Sequence, residues 1–356
     1  MPSDSFAPGT IGELFMLGFR GTHVPDWLRE FSRRFGLGGV ILFDYDWATR
    51  QYDRNVHSPA QVAELCAELA SLPSPPLVYV DQEGGRVRRL KDKLGFAPLP
   101  SALDVCALPD AEAAGLLKRS FAELVRLGIN VNLAPVVDLN TNPDNPDIGV
   151  HGRSYSADPA QVRRMARLVD AAAREAGLGL CLKHFPGIGG ASVNSHDAIM
   201  DLGPSLRDDQ LSLFYELGAE IESGAILVSH GFVPQWDPNR PACLSPAAVQ
   251  RLRKKLPNAL LVSDDLQMQG LQKRFGTAEA VPMAIAAGID VLILGNNLLD
   301  QEGAATELAE RLEAAVRSDA RLADNVQGSL RRIGERKARY IGLRQRYGQS
   351  GLAQLR

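Results

Sequence analysis

Apolar residues fall along this chain in two alternating rhythms. Short runs of β-type residues recur at 14–18, 39–43, 77–80, 131–134, 179–182, 225–228, 260–263 and 291–294. Most of these runs are continuous rather than alternating, which predicts strands covered on both faces. Between them, apolar positions recur at helical spacing. Asp158 followed by Pro159 predicts a capped helix start; Val162, Met165, Val169 and Ala172 then share one face, and Gly177 supplies the stop. Residues 110–128 repeat the signature, with Leu117, Phe121, Leu124 and Val125 as the buried stripe. Eight strands alternating with helices predict a (β/α)8 TIM-type barrel, with a doubly wound sheet as the alternative.

The arginine-rich stretch at about 328–347 carries Leu330, Ile333, Tyr340, Ile341 and Leu343. That spacing predicts a helix packed on the outside of the barrel rather than a binding tail. No linker or repeat stands out, so the expectation is one domain over 1–356. A composition of 45% hydrophobic and 23% charged residues fits a soluble globular chain, and a net charge of −3 gives no long-range pull toward nucleic acid or an anionic membrane. The first residues, MPSDSFAPGTIGE, lack the basic and apolar regions of a signal peptide. Cys66, Cys106, Cys181 and Cys243 form no CxxC pair, which predicts reduced thiols rather than a zinc site. The expectations are therefore a cytoplasmic monomer whose partner is a small molecule, with no metal or organic cofactor implied.

In such barrels the active site forms at the C-terminal ends of the strands. After the third run comes Asp81, in VDQEGGRVRRL; after the fourth, Asp138, in APVVDLN. The fifth is followed by Lys183 and His184, opening KHFPGIGGASVNSHD; the sixth by Ser229 and His230; the seventh by Asp264 and Asp265; the eighth by Asn296 and Asn297. Singly, each is an ordinary solvated or structural residue. Together they describe a polar pocket. Strand alternation would send Asp264 and Asp265 in opposite directions, with only one facing that pocket.

Three chemistries fit. Glycoside hydrolysis needs a carboxylate near the anomeric carbon, for which Asp264 is placed, and a proton donor, for which the loop imidazole of His196 is suited. Metal-dependent hydrolysis would draw on His184, His196, His230 and Asp264, but the first strand lacks His-x-His and Lys183 would set a cation beside the metal. The third is binding without catalysis.

The sequence resembles the bacterial β-N-acetylglucosaminidases of glycoside hydrolase family 3, the single-domain type associated with peptidoglycan recycling. The likeness runs from GGVILF at Gly38 through VDQEGGRVRRL, NVNLAPVVDLN, IGVHGRSYSADP, KHFPGIGGASVNSH, RPACLS and VSDDLQM to LGNN at Asn297. It implies Asp264 as the nucleophile that forms a covalent glycosyl-enzyme intermediate, and His196 as the general acid/base. It implies Asp81, Arg89, Arg153, Lys183 and His184 as binders of the hydroxyls of a terminal N-acetylglucosamine, with His230 lining the same pocket. Arg153 and Asp138 have a structural reading as braces across strand ends, and His184 as a core histidine.

Two positions depart from the family loop. Asn194 stands where an aspartate usually partners the catalytic histidine, and Ile188 replaces an earlier histidine. Asparagine accepts a hydrogen bond but supplies no charge, which predicts a weaker imidazolium at His196. Asp197 is the nearest substitute carboxylate. The departure leaves open another glycoside, weak activity with sugar binding, or phosphorolysis, since a histidine acid/base does not repel incoming phosphate as a glutamate would.

Overall fold

All eight apolar runs become strands of one closed barrel. The computed structural model describes residues 9–52, 54–193, 200–221, 224–299 and 302–353, with side chains described as far as 340. In chain order the strands are β1 (Phe15–Leu17), β2 (Gly39–Leu42), β3 (Leu77–Val80), β4 (Gln82–Gly84), β5 (Val87–Arg88), β6 (Val131–Asn132), β7 (Gly179–Phe185), β8 (Ala225–Val228), β9 (Leu260–Asp265) and β10 (Val291–Leu294). The barrel closes in the order β1-β10-β9-β8-β7-β6-β3-β2, every pairing parallel, while β4 and β5 form a separate antiparallel hairpin. This is a (β/α)8 TIM-type fold.

The helices start and stop where local chemistry dictates. Asp158 Oδ1 accepts the Ala160 N–H at 2.8 Å to open the helix Pro159–Ala176, and Gly177 ends it at φ 78°. The helix Asp110–Leu127 ends at Gly128 in the same left-handed manner, φ 97°. The C-terminal helix runs Ala320–Ala353, longer at both ends than the apolar spacing predicts. Its start is set by a polar signal instead: Asp319 Oδ1 accepts the N–H groups of Arg321 and Leu322.

Two local irregularities shape the end of the barrel where the polar residues collect. Against β8, the register of β7 slips between Leu182 and Phe185; against β10, that of β9 slips between Val262 and Asp265. Each strand carries one extra residue there, a bulge that bends it and re-aims its side chains. Among the described residues no helix is long and apolar enough to cross a membrane.

Candidate active site

A cavity of about 930 Å³ opens at the C-terminal ends of the strands. Its inner wall carries Asp81, Glu83, Arg153, Lys183, Asp264 and Asp265. Asp81 leaves the end of β3, and the chain then reverses through the β4–β5 hairpin. Gly84 and Gly85 both have positive φ there, and a Cβ on Gly84 would lie 2.0 Å from the Pro100 carbonyl oxygen, so only glycine fits. The Gln82 carboxamide ties the hairpin down, accepting the N–H groups of Arg89 and Leu90 and donating to the Leu90 carbonyl. The result returns Arg89 to Asp81 and projects Glu83 into the same space.

The charged groups alternate in sign along one continuous line. Arg89 Nη2 donates to Asp81 Oδ2 at 2.8 Å, and Lys183 Nζ donates to Asp81 Oδ1 at 2.8 Å. Lys183 also lies 2.6 Å from Glu83 Oε1. Arg153 grips Glu83 with two parallel bonds of 2.8 Å and donates to the Asp147 carbonyl. Burial alone would raise both carboxyls. The Lys183 and Arg89 charges outweigh it and hold Asp81 well below the usual range, and Arg153 with Lys183 brings Glu83 down to about 2. Burial likewise disfavours the Arg153 and Lys183 cations, but their carboxylate partners win and raise both. The ladder is charged at neutral pH, and a carboxylate such as Asp81 keeps lone pairs free for further donors.

His184 continues the line. Its Nδ1 is 2.7 Å from Asp138 Oδ2, and its Nε2 is 3.3 Å from Arg153 Nη2. Guanidinium can only donate, so Nε2 is the acceptor and the ring proton sits on Nδ1, donated to Asp138. Asp138 also accepts the backbone N–H groups of His184 and Ile188. Arg153 and Asp138 thus both brace neighbours, Arg153 through Glu83 and Asp138 through His184.

Asp264 and Asp265 close the opposite side. Alternation along β9 places only one of them on the pocket, yet both border the cavity. The bulge is the reason: the extra residue at Ser263–Asp264 breaks the period of two. The Asp265 N–H donates to Asp264 Oδ1 at 2.9 Å, while Asp265 Oδ1 accepts from the N–H groups of Gln267 and Gly295. Burial pushes the Asp265 carboxyl up to about 7, against the pull of those two N–H groups and with a further push from the Asp264 charge.

His230 is not among the residues lining the cavity. Its Nε2 donates to the Asp265 carbonyl at 2.8 Å, and its Nδ1 sits 3.0 Å from the Cys243 thiol, which burial keeps protonated. It clamps the end of β9 from behind. His196, its loop neighbour Asn194, and Asp197 lie outside the described residues; Ile188, the other departure in that loop, is buried on the cavity wall.

Among the charged residues that line the cavity without having been picked out in the sequence are Glu83 and Asp44. Glu83 follows Asp81 by two positions in VDQEGG, a spacing that becomes meaningful only once the hairpin folds it back. Asp44 follows the second apolar run directly, in LFDYDW, and is salt-bridged to Lys91. Extending the list of strand ends to that run would have found it.

A closed parallel barrel with its charged cavity at the C-terminal strand ends defines a (β/α)8-barrel enzyme. Residues 10–334 match the Glycosyl hydrolase family 3 N terminal domain, and the chain belongs to that family of glycoside hydrolases. The Beta-hexosaminidase of Pseudomonas aeruginosa (strain LESB58) is 34% identical over 297 residues, covering 81% of this chain and 83% of that protein. That of Thiobacillus denitrificans is 34% identical over 305 residues, with 81% and 79% covered. Among solved structures, a glycoside hydrolase family 3 beta-N-acetylglucosaminidase from Paenibacillus sp. str. FPU-7 superposes with a TM-score of 0.81 at 32% identity, covering 94% of this chain and 63% of that one. This chain thus spans less than two thirds of the Paenibacillus protein. Beta-N-acetylhexosaminidase from Beutenbergia cavernae gives 0.80 at 28% identity, with 92% and 97% covered.

Proposed function

We propose that this chain is a retaining glycosidase that removes terminal β-linked N-acetylglucosamine, from peptidoglycan fragments or related glycosides. The observation that carries it is the placement of Asp264 on the cavity wall facing the alternating ladder of Asp81, Lys183, Glu83 and Arg153. In the first step an Asp264 oxygen bonds to the anomeric carbon as the glycosidic bond breaks, and His196 gives its proton to the departing oxygen. In the second, water attacks the same carbon, His196 takes a water proton, and the Asp264 carboxylate is released. The Asp265 N–H fixes the orientation of the nucleophile. The Asp265 carboxyl, pushed toward neutrality, leaves the anionic task to its neighbour. Asp81, Arg89, Lys183, Arg153 and His184 bind ring hydroxyls through bidentate and charge-assisted hydrogen bonds. His230 acts from behind, as a positioning residue for β9.

Hydrolysis of an aryl N-acetyl-β-glucosaminide tests the reading. The wild type turns it over with retention, seen as β-anomer appearing first by NMR, and Asp264→Asn loses at least about a thousandfold in kcat. An inverted product, or no turnover of any aryl glycoside, contradicts it. A second reading, a weakened or redirected enzyme, is favoured by one observation, Asn194 in place of the usual carboxylate. On that reading Asn194→Asp raises turnover and shifts the pH profile upward, because a carboxylate beside the ring stabilises its imidazolium. An unchanged profile removes it. Adding inorganic phosphate to the same assay distinguishes phosphorolysis from hydrolysis.

A further inference from the structure

The cavity holds more than the charged ladder. At about 930 Å³ it lies near the upper end of the ~300–1,000 Å³ range of small-molecule sites, and it has room beyond a single sugar ring. One stretch of its wall is residues 44–52, which leave the end of β2 and supply Asp44, Tyr45, Trp47, Arg50 and Tyr52 to the lining.

Two features of this segment are not used up by the fold. The first is Asp44. Its side chain is 1% exposed and its Oδ2 is paired with Lys91, but its Oδ1 is buried with no hydrogen-bond partner. Arg89 Nη1 stands 3.9 Å from that oxygen, beyond hydrogen-bond reach. An unsatisfied buried carboxylate oxygen costs on the order of 1–3 kcal/mol or more, so an acceptor of this kind on a cavity wall points to a donor brought by a ligand. The second is a pair of aromatic side chains held out to solvent. Trp47 and Tyr52 are 56% and 54% exposed, and they are the only aromatics among the large apolar side chains exposed in the described residues. Leu103, Val150 and Val193, the others, do not border this cavity.

The aromatics are also held in place. Tyr45 packs edge-on against both, with ring centroids 5.2 Å from Trp47 and 4.9 Å from Tyr52, and Lys91 and Lys93 sit 4.5 Å from the Tyr52 ring centre. The Trp47 backbone N–H donates to Asn297 Oδ1 across the barrel end. Asp46 closes the loop on itself: its Oδ1 accepts from Ala48 and Thr49, its Oδ2 is gripped by Arg20 and Arg54, and its own N–H donates to the Gln51 carbonyl. Ordering exposed aromatics in this way is the arrangement expected of a binding platform, on which the apolar face of a pyranose packs while a buried carboxylate takes one of its hydroxyls.

We infer that residues 44–52 build a second saccharide subsite, adjoining the pocket formed by Asp81 and Arg89, that takes a second pyranose ring of an oligosaccharide. Asp44 Oδ1 accepts a hydroxyl of that ring, and Trp47 with Tyr52 covers its C–H face. The inference rests on the glycosidase reading above. It makes the segment a determinant of chain-length preference rather than of the chemical step.

Calorimetry on the Asp264→Asn protein, which holds sugar without cleaving it, compares N-acetylglucosamine with N,N′-diacetylchitobiose. The disaccharide binds at least tenfold tighter than the monosaccharide. Trp47→Ala combined with Tyr52→Ala abolishes that gain while monosaccharide affinity stays within twofold, and Asp44→Asn reduces the gain severalfold. Near-UV circular dichroism and the retained monosaccharide affinity show that the variants are folded. A disaccharide no tighter than the monosaccharide, or a gain that survives both changes, overturns the subsite and leaves the glycosidase reading intact. Failure of both sugars to bind, together with no turnover of the aryl glycoside by the wild type, overturns that reading and the subsite with it.

Discussion

At the residue scale the site is governed by charges that satisfy one another before any ligand arrives. Glu83 is the clearest case, since it neutralises Arg153 with two bonds and Lys183 with one. Replacing it by glutamine leaves two buried cations short of a partner, and breaking a buried pair costs about 3–5 kcal/mol. Glu83→Gln therefore lowers the unfolding free energy, read from denaturant titration, by that order and raises KM as Arg153 loses its anchor; a loss below about 1 kcal/mol contradicts the ladder as described. The places of Asp81, Lys183 and His184 on the cavity wall were legible because they come at the ends of apolar runs. Their partners were not. Glu83 points inward only because a hairpin turns at Gly84–Gly85, and the match of Asp138 to His184 joins strand ends far apart in sequence.

At the scale of elements, the bulges matter more than the strands that carry them. The apolar runs locate β7 and β9 well, but hydrophobicity stops where these strands continue through Lys183–Phe185 and Asp264–Asp265. Period-two reasoning then fails at the position where it bears on chemistry, because one added residue re-aims the carboxylates. The consequence is testable through Asp265. Its carboxyl is raised from 3.8 to about 7 in the fold, so the native state binds a proton that the unfolded chain releases. Its stabilising contribution is complete below the unfolded value and is lost as pH rises through about 7. Asp265→Asn keeps the oxygen that accepts from Gln267 and Gly295, so it removes this slope and gains stability relative to wild type between pH 4 and 7.5. Denaturant midpoints across that window check it, and parallel curves for the two proteins would refute the assignment.

At the scale of the molecule, the barrel was legible and its fastening was not. Alternating strands and helices predict the closed parallel sheet, since few other architectures bury strands on both faces. The C-terminal helix was recognisable from its apolar spacing, but much of its polar attachment centres on one buried residue with no local signature. Asp290, at the start of β10, accepts from Ser329, Arg332 and Arg253 and from the Leu261 N–H. Asp290→Ala strands both guanidinium groups, costs about 3–5 kcal/mol, and makes residues 320–340 cleave sooner in limited proteolysis than the barrel does. Equal cleavage of helix and barrel would count against this anchoring.

The central claim is that Asp264, rather than its equally cavity-facing neighbour Asp265, forms a bond to sugar. A fluorinated N-acetylglucosaminyl donor that forms the intermediate faster than water releases it measures this directly. After brief incubation and digestion, mass spectrometry should find the glycosyl adduct on the peptide containing residues 260–268, with fragmentation placing it on Asp264. An adduct on Asp265, or turnover of the donor with no adduct formed, would contradict it.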